Sequence, residues 1–88
     1  MFEWDKSKAK ENKLKHGVSL ADTFAVFEDP NAITLDDPST NEQRYITIGM
    51  DGFGRILVVV YTWRRDKIRI ISARKAVRRE VKQYESGI

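Results

Sequence analysis

The sequence predicts an α+β domain in which helices pack on an antiparallel β-sheet. Apolar residues recur at helical spacing before residue 30. Residues 32–73 then hold four runs of apolar and β-branched residues separated by turn signals, and helical spacing returns after residue 74. A chain of 88 residues has room for one hydrophobic core, so we expect residues 1–88 to form a single domain.

Signals at both ends define the first predicted helix. The segment MFEW, residues 1–4, can form an additional N-terminal strand or an ordered lead-in. Asp5 is a suitable N-cap for a helix over about 6–15, and Gly17 suits the left-handed conformation that ends a helix.

The second predicted helix begins near Ser19, which has capping-box spacing to Asp22, and stops before Pro30. Its apolar residues fall at positions i, i+4 and i+7, and we expect this stripe to be buried: Leu20, Phe24 and Phe27.

Four strands follow, joined as a meander. Asp51-Gly52 and Arg65-Asp66 are the predicted turns of the last two hairpins. The third run is nearly continuous in apolar residues and should lie centrally. In chain order the strands are AITLDD, RYITIG, RILVVVYTW and KIRIISA.

Alternation along the last strand predicts which side chains face the helices. Ile68, Ile70 and Ser72 should share the helix-facing side, leaving Arg69 on the open face. A final helix from about Arg74 to Glu85 should dock through a stripe at helical spacing: Val77, Val81 and Tyr84.

The charge is unevenly distributed along the chain. The formal net charge is +3, but residues 1–17 and 54–88 are basic, whereas residues 18–53 hold seven acidic residues against one arginine. This pattern predicts one cationic surface suited to phosphate or to an acidic partner, with scattered solvated charges as the alternative.

Several function classes are disfavoured by composition. No apolar run is long enough for a transmembrane helix, and the N-terminus does not resemble a secretory signal, so we expect a cytoplasmic protein with no membrane partner. The chain has no cysteine and one histidine, and no carboxylate pair has ligand spacing, so we expect neither a metal site nor a cofactor.

Four segments together resemble the BrnT family of bacterial toxins: FEWDKSKAKENKLKHGVSL, FEDP, RYITIG and IRIISARKAVRREVKQY. The resemblance implies a RelE-like ribonuclease fold and a type II toxin that cleaves RNA and halts translation. It also implies a ribbon-helix-helix antitoxin of the BrnA kind, which would neutralise the toxin and mediate any contact with operator DNA.

The resemblance also selects site residues. Carrying the family motifs over position by position gives the following set: Lys8, Asn12, Lys15, His16, Arg44, Arg64, Arg69, Ser72, Arg74, Lys75, Arg79, Glu80 and Tyr84.

The chemistry of RNA cleavage divides this set. Attack by the 2′-hydroxyl requires a base, cations for the phosphorane charge and an acid for the leaving oxygen. Arginine binds phosphate oxygens bidentately, which favours Arg64 and Arg69 as clamps. We predict catalytic roles for these two arginines with Lys8, His16 and Tyr84, and RNA-binding roles for Asn12, Lys15, Arg44, Arg74, Lys75, Arg78 and Arg79.

Some of these residues also have purely structural interpretations. His16 can stabilise the end of its helix, and Tyr84 continues an apolar docking stripe. Glu80 can form an ion pair with a nearby cation, and the hydroxyl of Ser72 can form a hydrogen bond within the fold.

Two other functions fit the composition. One is a nucleic-acid-binding or regulatory module without catalysis. The other uses the basic surface only to dock an acidic protein, which predicts little salt dependence of RNA binding, in contrast to phosphate contacts.

Overall fold

The computed structural model describes residues 1–87, which form a five-stranded mixed sheet with three α-helices. The strand order is β1-β5-β4-β3-β2. The elements run in chain order as β1 (Phe2–Glu3), α1 (Lys6–His16), a 3₁₀ turn (Leu20–Thr23), α2 (Phe24–Phe27), β2 (Ile33–Asp36), β3 (Tyr45–Met50), β4 (Ile56–Arg64), β5 (Lys67–Lys75) and α3 (Arg78–Ser86).

The predicted α+β class and the four-stranded antiparallel meander are confirmed. The N-terminal segment adds a fifth strand, β1, which pairs in parallel with β5. No helix in residues 1–87 is long and apolar enough to cross a membrane.

Helix α1 has the ends that its sequence predicts. The carboxylate of Asp5 accepts hydrogen bonds from the N–H groups of Ser7 and Lys8 at 2.8 and 3.1 Å. Gly17 ends the helix with φ at 71°, in the left-handed region that glycine adopts without steric cost.

The second helix is shorter than predicted. Ser19 makes no side-chain capping bond, and the chain forms a 3₁₀ turn before the four-residue α2. The hydroxyl of Thr23 donates to the carbonyl of Leu20 at 2.7 Å, which satisfies a buried polar group inside the turn.

One face of the sheet packs against α1, the 3₁₀ turn and α2. The buried core on this face comes from the sheet, the 3₁₀ turn, α2 and the residue Val18, and Ala9 of α1 packs against it. Its members are Val18, Leu20, Val26, Leu57, Val59, Tyr61, Ile68, Ile70 and Ala73. Gly49 allows the close approach of α2, because a Cβ there would lie 2.9 Å from a side-chain methyl of Val26.

A β-bulge in β5 corrects the predicted side-chain directions. Val60 pairs with Ser72 and Tyr61 pairs with Ile70, so Ile71 is an extra residue between them. The alternation therefore shifts by one, and Ala73 enters the core in place of Ser72.

Helix α3 begins four residues later than predicted, at Arg78, because β5 continues to Lys75. Two polar contacts fasten it. Glu80 pairs with Arg74 on β5, and the hydroxyl of Tyr84 donates to Asp29 at 2.6 Å.

Asp51 organises the turn between β3 and β4. Its side chain is fully buried and accepts hydrogen bonds from the backbone of Phe53 and Arg55 and from the Arg55 side chain. Burial opposes ionisation of this carboxyl, but the hydrogen bonds from Arg55 and Phe53 outweigh it and hold the pKa of Asp51 below its ordinary value of 3.8.

This lowered pKa predicts acid sensitivity of the fold. A carboxylate whose pKa is lower in the folded state stabilises it fully above the ordinary pKa, and the contribution is lost as the pH falls through the folded value. We expect the free energy of unfolding to decrease as the pH falls below about 4. Denaturant unfolding at pH 6, 4 and 3 measures this, and an Asp51→Ala variant should show a shallower decrease over the same range.

Candidate active site

Three basic side chains from distant parts of the sequence line one groove. Lys8 comes from α1, Arg44 from the residue before β3, and Arg69 from β5. Thr62 and Ile71 also line this groove, as do two acidic residues, Asp5 and Glu42. Arg69 is opposite Thr62 in the sheet register, which places the groove on the face of the sheet turned away from the core.

A second depression adjoins the first and shares Lys8 and Ile71 with it. It adds Asn12, Lys15, His16 and Ser72, together with the acidic residue Glu11. The β-bulge explains the presence of Ser72, because the shift in alternation turns this residue out of the core. We call the two depressions together the basic groove, with these cationic and imidazole side chains: Lys8, Lys15, His16, Arg44 and Arg69.

Arg44 has unused hydrogen-bonding capacity in the basic groove. One terminal nitrogen donates to Glu42 at 3.2 Å. Its Nε is shielded from solvent and has no hydrogen-bond partner among the residues that the structure describes. A shielded donor without a partner is unfavourable in the free protein.

Arg69 is held by a residue that the sequence analysis did not select. One terminal nitrogen of its guanidinium donates to the carboxylate of Glu3 at 2.9 Å, and the Arg69 side chain keeps about a third of its surface exposed. Glu3 also lies 3.7 Å from Arg64. The hydrogen bond from Arg69 is the main cause that lowers the pKa of Glu3, against an opposing effect of burial, so this carboxyl is ionised at neutral pH.

Arg64 lies beside the basic groove rather than within it. It lines a separate depression with Glu3, Arg65 and Lys67 at the β4–β5 turn. Arg65 has φ at 61°, in the left-handed region, which allows the chain to reverse between the two strands. The contacts of Glu3 with both Arg64 and Arg69 connect this depression to the basic groove.

Three predicted site residues have other partners in the structure. Asn12 is buried, Arg74 forms a two-pronged pair with Glu80 at 2.8 Å on each prong, and Tyr84 hydrogen-bonds Asp29. Glu80 thus forms an ion pair, as its structural interpretation expected, and its partner is Arg74 on β5. Tyr84 fastens α3 through its hydroxyl group and not only through the predicted apolar stripe. The hydrogen bonds between these two side chains raise the pKa of Arg74 and lower the pKa of Glu80.

The remaining predicted RNA-binding residues lie around the junction of β5 and α3. Lys75 ends β5, and Arg78 and Arg79 begin α3 with exposed side chains. They lie outside the basic groove, so any contact with RNA would be to nucleotides that flank the one in the groove. Among residues 1–87 the structure has no group of three or more side chains suited to a metal ion.

Asn12 hydrogen-bonds the backbone of β5 at its edge, beyond the residues of β5 that pair with β1. Its amide nitrogen donates to the carbonyls of Val18 and Ala73 at 3.0 and 2.8 Å, and its oxygen accepts from the N–H of Ala73 at 3.1 Å. These bonds use both N–H groups of the amide. Asn12 borders the second depression of the basic groove, but its amide N–H groups are committed to the backbone, so we assign it a structural role in place of the predicted RNA contact.

We expect Asn12→Ala to lower the free energy of unfolding by about 2–3 kcal/mol, because it leaves buried backbone groups of Ala73 without partners. Denaturant unfolding measures this, with Asn41→Ala at an exposed loop position as the matched control. RNA affinity of the folded variant should stay at the wild-type level. A variant of normal stability with weakened RNA binding would contradict this role.

Tyr84 joins α3 to the α2–β2 connection. Its hydroxyl bonds the same carboxylate oxygen of Asp29 that accepts the N–H of Met50 at 2.8 Å. The hydrogen bond to Asp29, together with burial, raises the pKa of Tyr84. This hydroxyl lies in a different depression from the basic groove, lined also by Asn31 and Glu85.

We expect Tyr84→Phe to lower the free energy of unfolding by about 1–2 kcal/mol through loss of this hydrogen bond, with little change in RNA cleavage. Thermal unfolding and a cleavage assay on the same preparation test the two statements. Loss of cleavage at unchanged stability would support the predicted catalytic role of Tyr84.

Comparison with known proteins agrees with this architecture. The family model described as "Ribonuclease toxin, BrnT, of type II toxin-antitoxin system" matches residues 4–80. The crystal structure of the Brucella abortus ribonuclease toxin, BrnT, superposes with a TM-score of 0.70 at 28% identity, covering 89% of this chain and 99% of that one. No curated protein matches the sequence.

The matched region contains all five cationic and imidazole side chains of the basic groove, and the predicted resemblance is confirmed by both sequence and fold. The chain belongs to the BrnT family of ribonuclease toxins of type II toxin–antitoxin systems.

Proposed function

We propose that the basic groove binds a single RNA phosphate between Arg69, Arg44 and Lys8 and promotes its cleavage by the neighbouring 2′-hydroxyl. The convergence of these three side chains, from positions 8, 44 and 69, on one groove of a ribonuclease-family chain is the observation that supports it.

In the proposed reaction the 2′-oxygen attacks phosphorus as the bond to the 5′-oxygen breaks. The proton of the 2′-hydroxyl passes to a base, and an acid protonates the departing 5′-oxygen. The products are a 2′,3′-cyclic phosphate and a free 5′-hydroxyl. This route needs no metal ion.

The residues of the basic groove suit these steps. Arg69 and Arg44 would stabilise the negative charge that develops on the phosphorane oxygens. Lys8 and His16 line adjoining parts of the groove and are the proposed proton-transfer groups, histidine being the side chain most often used for this purpose. Lys15 would hold a neighbouring phosphate.

Cations outside the basic groove would bind the RNA on either side. Arg64 lies beyond Glu3 at one end, and Lys75, Arg78 and Arg79 lie where β5 gives way to α3 at the other. Arg74 is committed to Glu80 and is assigned no RNA contact.

A type II toxin has a protein antitoxin as its partner. We propose an antitoxin of the ribbon-helix-helix class, as in BrnA, which would neutralise the toxin in the cytoplasm and alone contact operator DNA. Released toxin would inhibit translation by cutting mRNA. Added antitoxin should then abolish cleavage.

The experiment that tests the proposed reaction is cleavage of an end-labelled RNA of mixed sequence in the presence of EDTA. We expect fragments ending in 2′,3′-cyclic phosphate. Intact RNA, both alone and with ribosomes, combined with salt-sensitive binding would instead indicate an RNA-binding module without catalysis.

A further inference from the structure

The short strand β1 carries Glu3 between two anchored aromatic residues. The ring of Phe2 stacks on Phe24 with centroids 4.4 Å apart, and Trp4 lies 5.6 Å from the same ring. Phe2 and Trp4 both pack against the hydrophobic core. Alternation along an extended strand turns Glu3 to the opposite side, toward the basic groove.

Backbone pairing fixes Glu3 in register with Arg69. Phe2 and Glu3 pair with Ile68 and Arg69, and the N–H of Ile68 donates to the carbonyl of Met1 at 2.8 Å. The Glu3 carboxylate is thus supported by the sheet and by the core on both sides of its own residue.

The contact uses only part of the Arg69 guanidinium. The bond to Glu3 involves one terminal nitrogen, and the structure gives the other terminal nitrogen and the Nε no acceptor among residues 1–87. Those two nitrogens form one edge of the planar guanidinium, the kind of edge that binds two phosphate oxygens at once. Fixing one terminal nitrogen orients this edge.

We propose that Glu3 is a positioning residue that orients the guanidinium of Arg69 for phosphate binding in the basic groove. This inference rests on the proposed function, since it assigns Arg69 to the reacting phosphate. A negative charge beside a phosphate site weakens RNA binding by itself, so orientation of Arg69 is the benefit that would justify its position.

Positioning and simple charge pairing predict different kinetics. Glu3→Gln removes the charge at nearly constant shape, so RNA should bind as tightly as to the wild type or more tightly. The amide oxygen of Gln can still accept from Arg69, but this bond is neutral and weaker than the charge-assisted one. The guanidinium therefore gains freedom to rotate, and we expect kcat to fall about tenfold. If Glu3 only competes with phosphate for Arg69, kcat/KM should rise instead.

Glu3→Asp gives an independent test. It keeps the charge but withdraws the carboxylate by one methylene, so a positioning role predicts a similar loss of kcat, whereas a role of charge alone predicts wild-type cleavage. Glu85→Gln on the exposed face of α3 removes the same charge outside the basic groove and should leave kcat unchanged.

Single-turnover cleavage and equilibrium RNA binding, with thermal unfolding of each variant, make up the experiment. In an Arg69→Lys background, which lacks the planar fork, Glu3→Gln should cause less than a threefold further loss. Wild-type kcat in folded Glu3→Gln or Glu3→Asp overturns the positioning role of Glu3 and leaves the proposed function intact. A wild-type protein that does not cleave RNA overturns the proposed function and this inference with it.

Discussion

Arg69→Ala should reduce RNA cleavage by about 10²–10³-fold, the loss typical when a positioned donor to transition-state charge is removed. Arg69 is the arginine of β5 that lines the basic groove, and one edge of its guanidinium is free for phosphate oxygens. Most of the RNA affinity should remain, because the other cations of the basic groove are unchanged. Single-turnover cleavage and equilibrium binding at fixed salt separate these two effects.

Two further arginine variants test whether the loss of cleavage is specific to the guanidinium of Arg69. Arg69→Lys keeps the charge without the bidentate edge and should recover only a minor part of the rate. Arg78→Ala, at an exposed position outside the basic groove, should weaken RNA binding without slowing the chemical step. Equal losses of cleavage in Arg69→Ala and Arg78→Ala would contradict a specific role for Arg69.

Asp51→Ala should lower the free energy of unfolding by about 3 kcal/mol, the largest stability effect that we expect from a single side chain. The substitution removes the acceptor for two backbone N–H groups and for the guanidinium of Arg55. Arg55 would retain its bond to Asp22 at 3.0 Å but lose its buried counter-ion. The β3–β4 turn would then lack the group that organises it.

Denaturant unfolding at pH 7 measures this loss. Asp36→Ala is the control, because Asp36 is an exposed acidic residue of the edge strand β2 and its removal should change stability by less than about 0.5 kcal/mol. A change below about 1 kcal/mol in Asp51→Ala would mean that the turn forms without the buried carboxylate.

Much of the secondary structure was predictable because its signals are local. The N-cap at Asp5 and the left-handed residue Gly17 define α1 within a few residues of each end. The strands β2 to β5 follow from runs of apolar residues and from turn dipeptides between them. The predicted length of the second helix was wrong, because capping-box spacing at Ser19 does not by itself exclude a 3₁₀ turn.

The side-chain directions along β5 needed the sheet. Simple alternation assigned Ser72 to the core, but the bulge at Ile71 exchanged it with Ala73. Nothing in the local sequence marks this extra residue. It is set by pairing with β4 and by the Asn12 amide that satisfies the backbone of Ala73.

The candidate site was predictable in residue type and not in arrangement. The sequence indicated an excess of cations and a resemblance to ribonuclease toxins, and six of the residues predicted to be catalytic or RNA-binding line the basic groove. It did not separate these from Arg74 and Tyr84, whose partners Glu80 and Asp29 become neighbours only when α3 docks. It also passed over Glu3, although the alternation of Phe2, Glu3 and Trp4 was a usable signal.

The sequence alone therefore determined the fold class, the family and the cationic character of the surface. Periodicity, caps and charge are properties of neighbouring residues, so they can be recognised without the fold. The tertiary structure alone decided which cations line one groove and which side chain each of them contacts. Those outcomes depend on strand register, on one bulge and on the parallel pairing of β1 with β5, which join residues far apart in the chain.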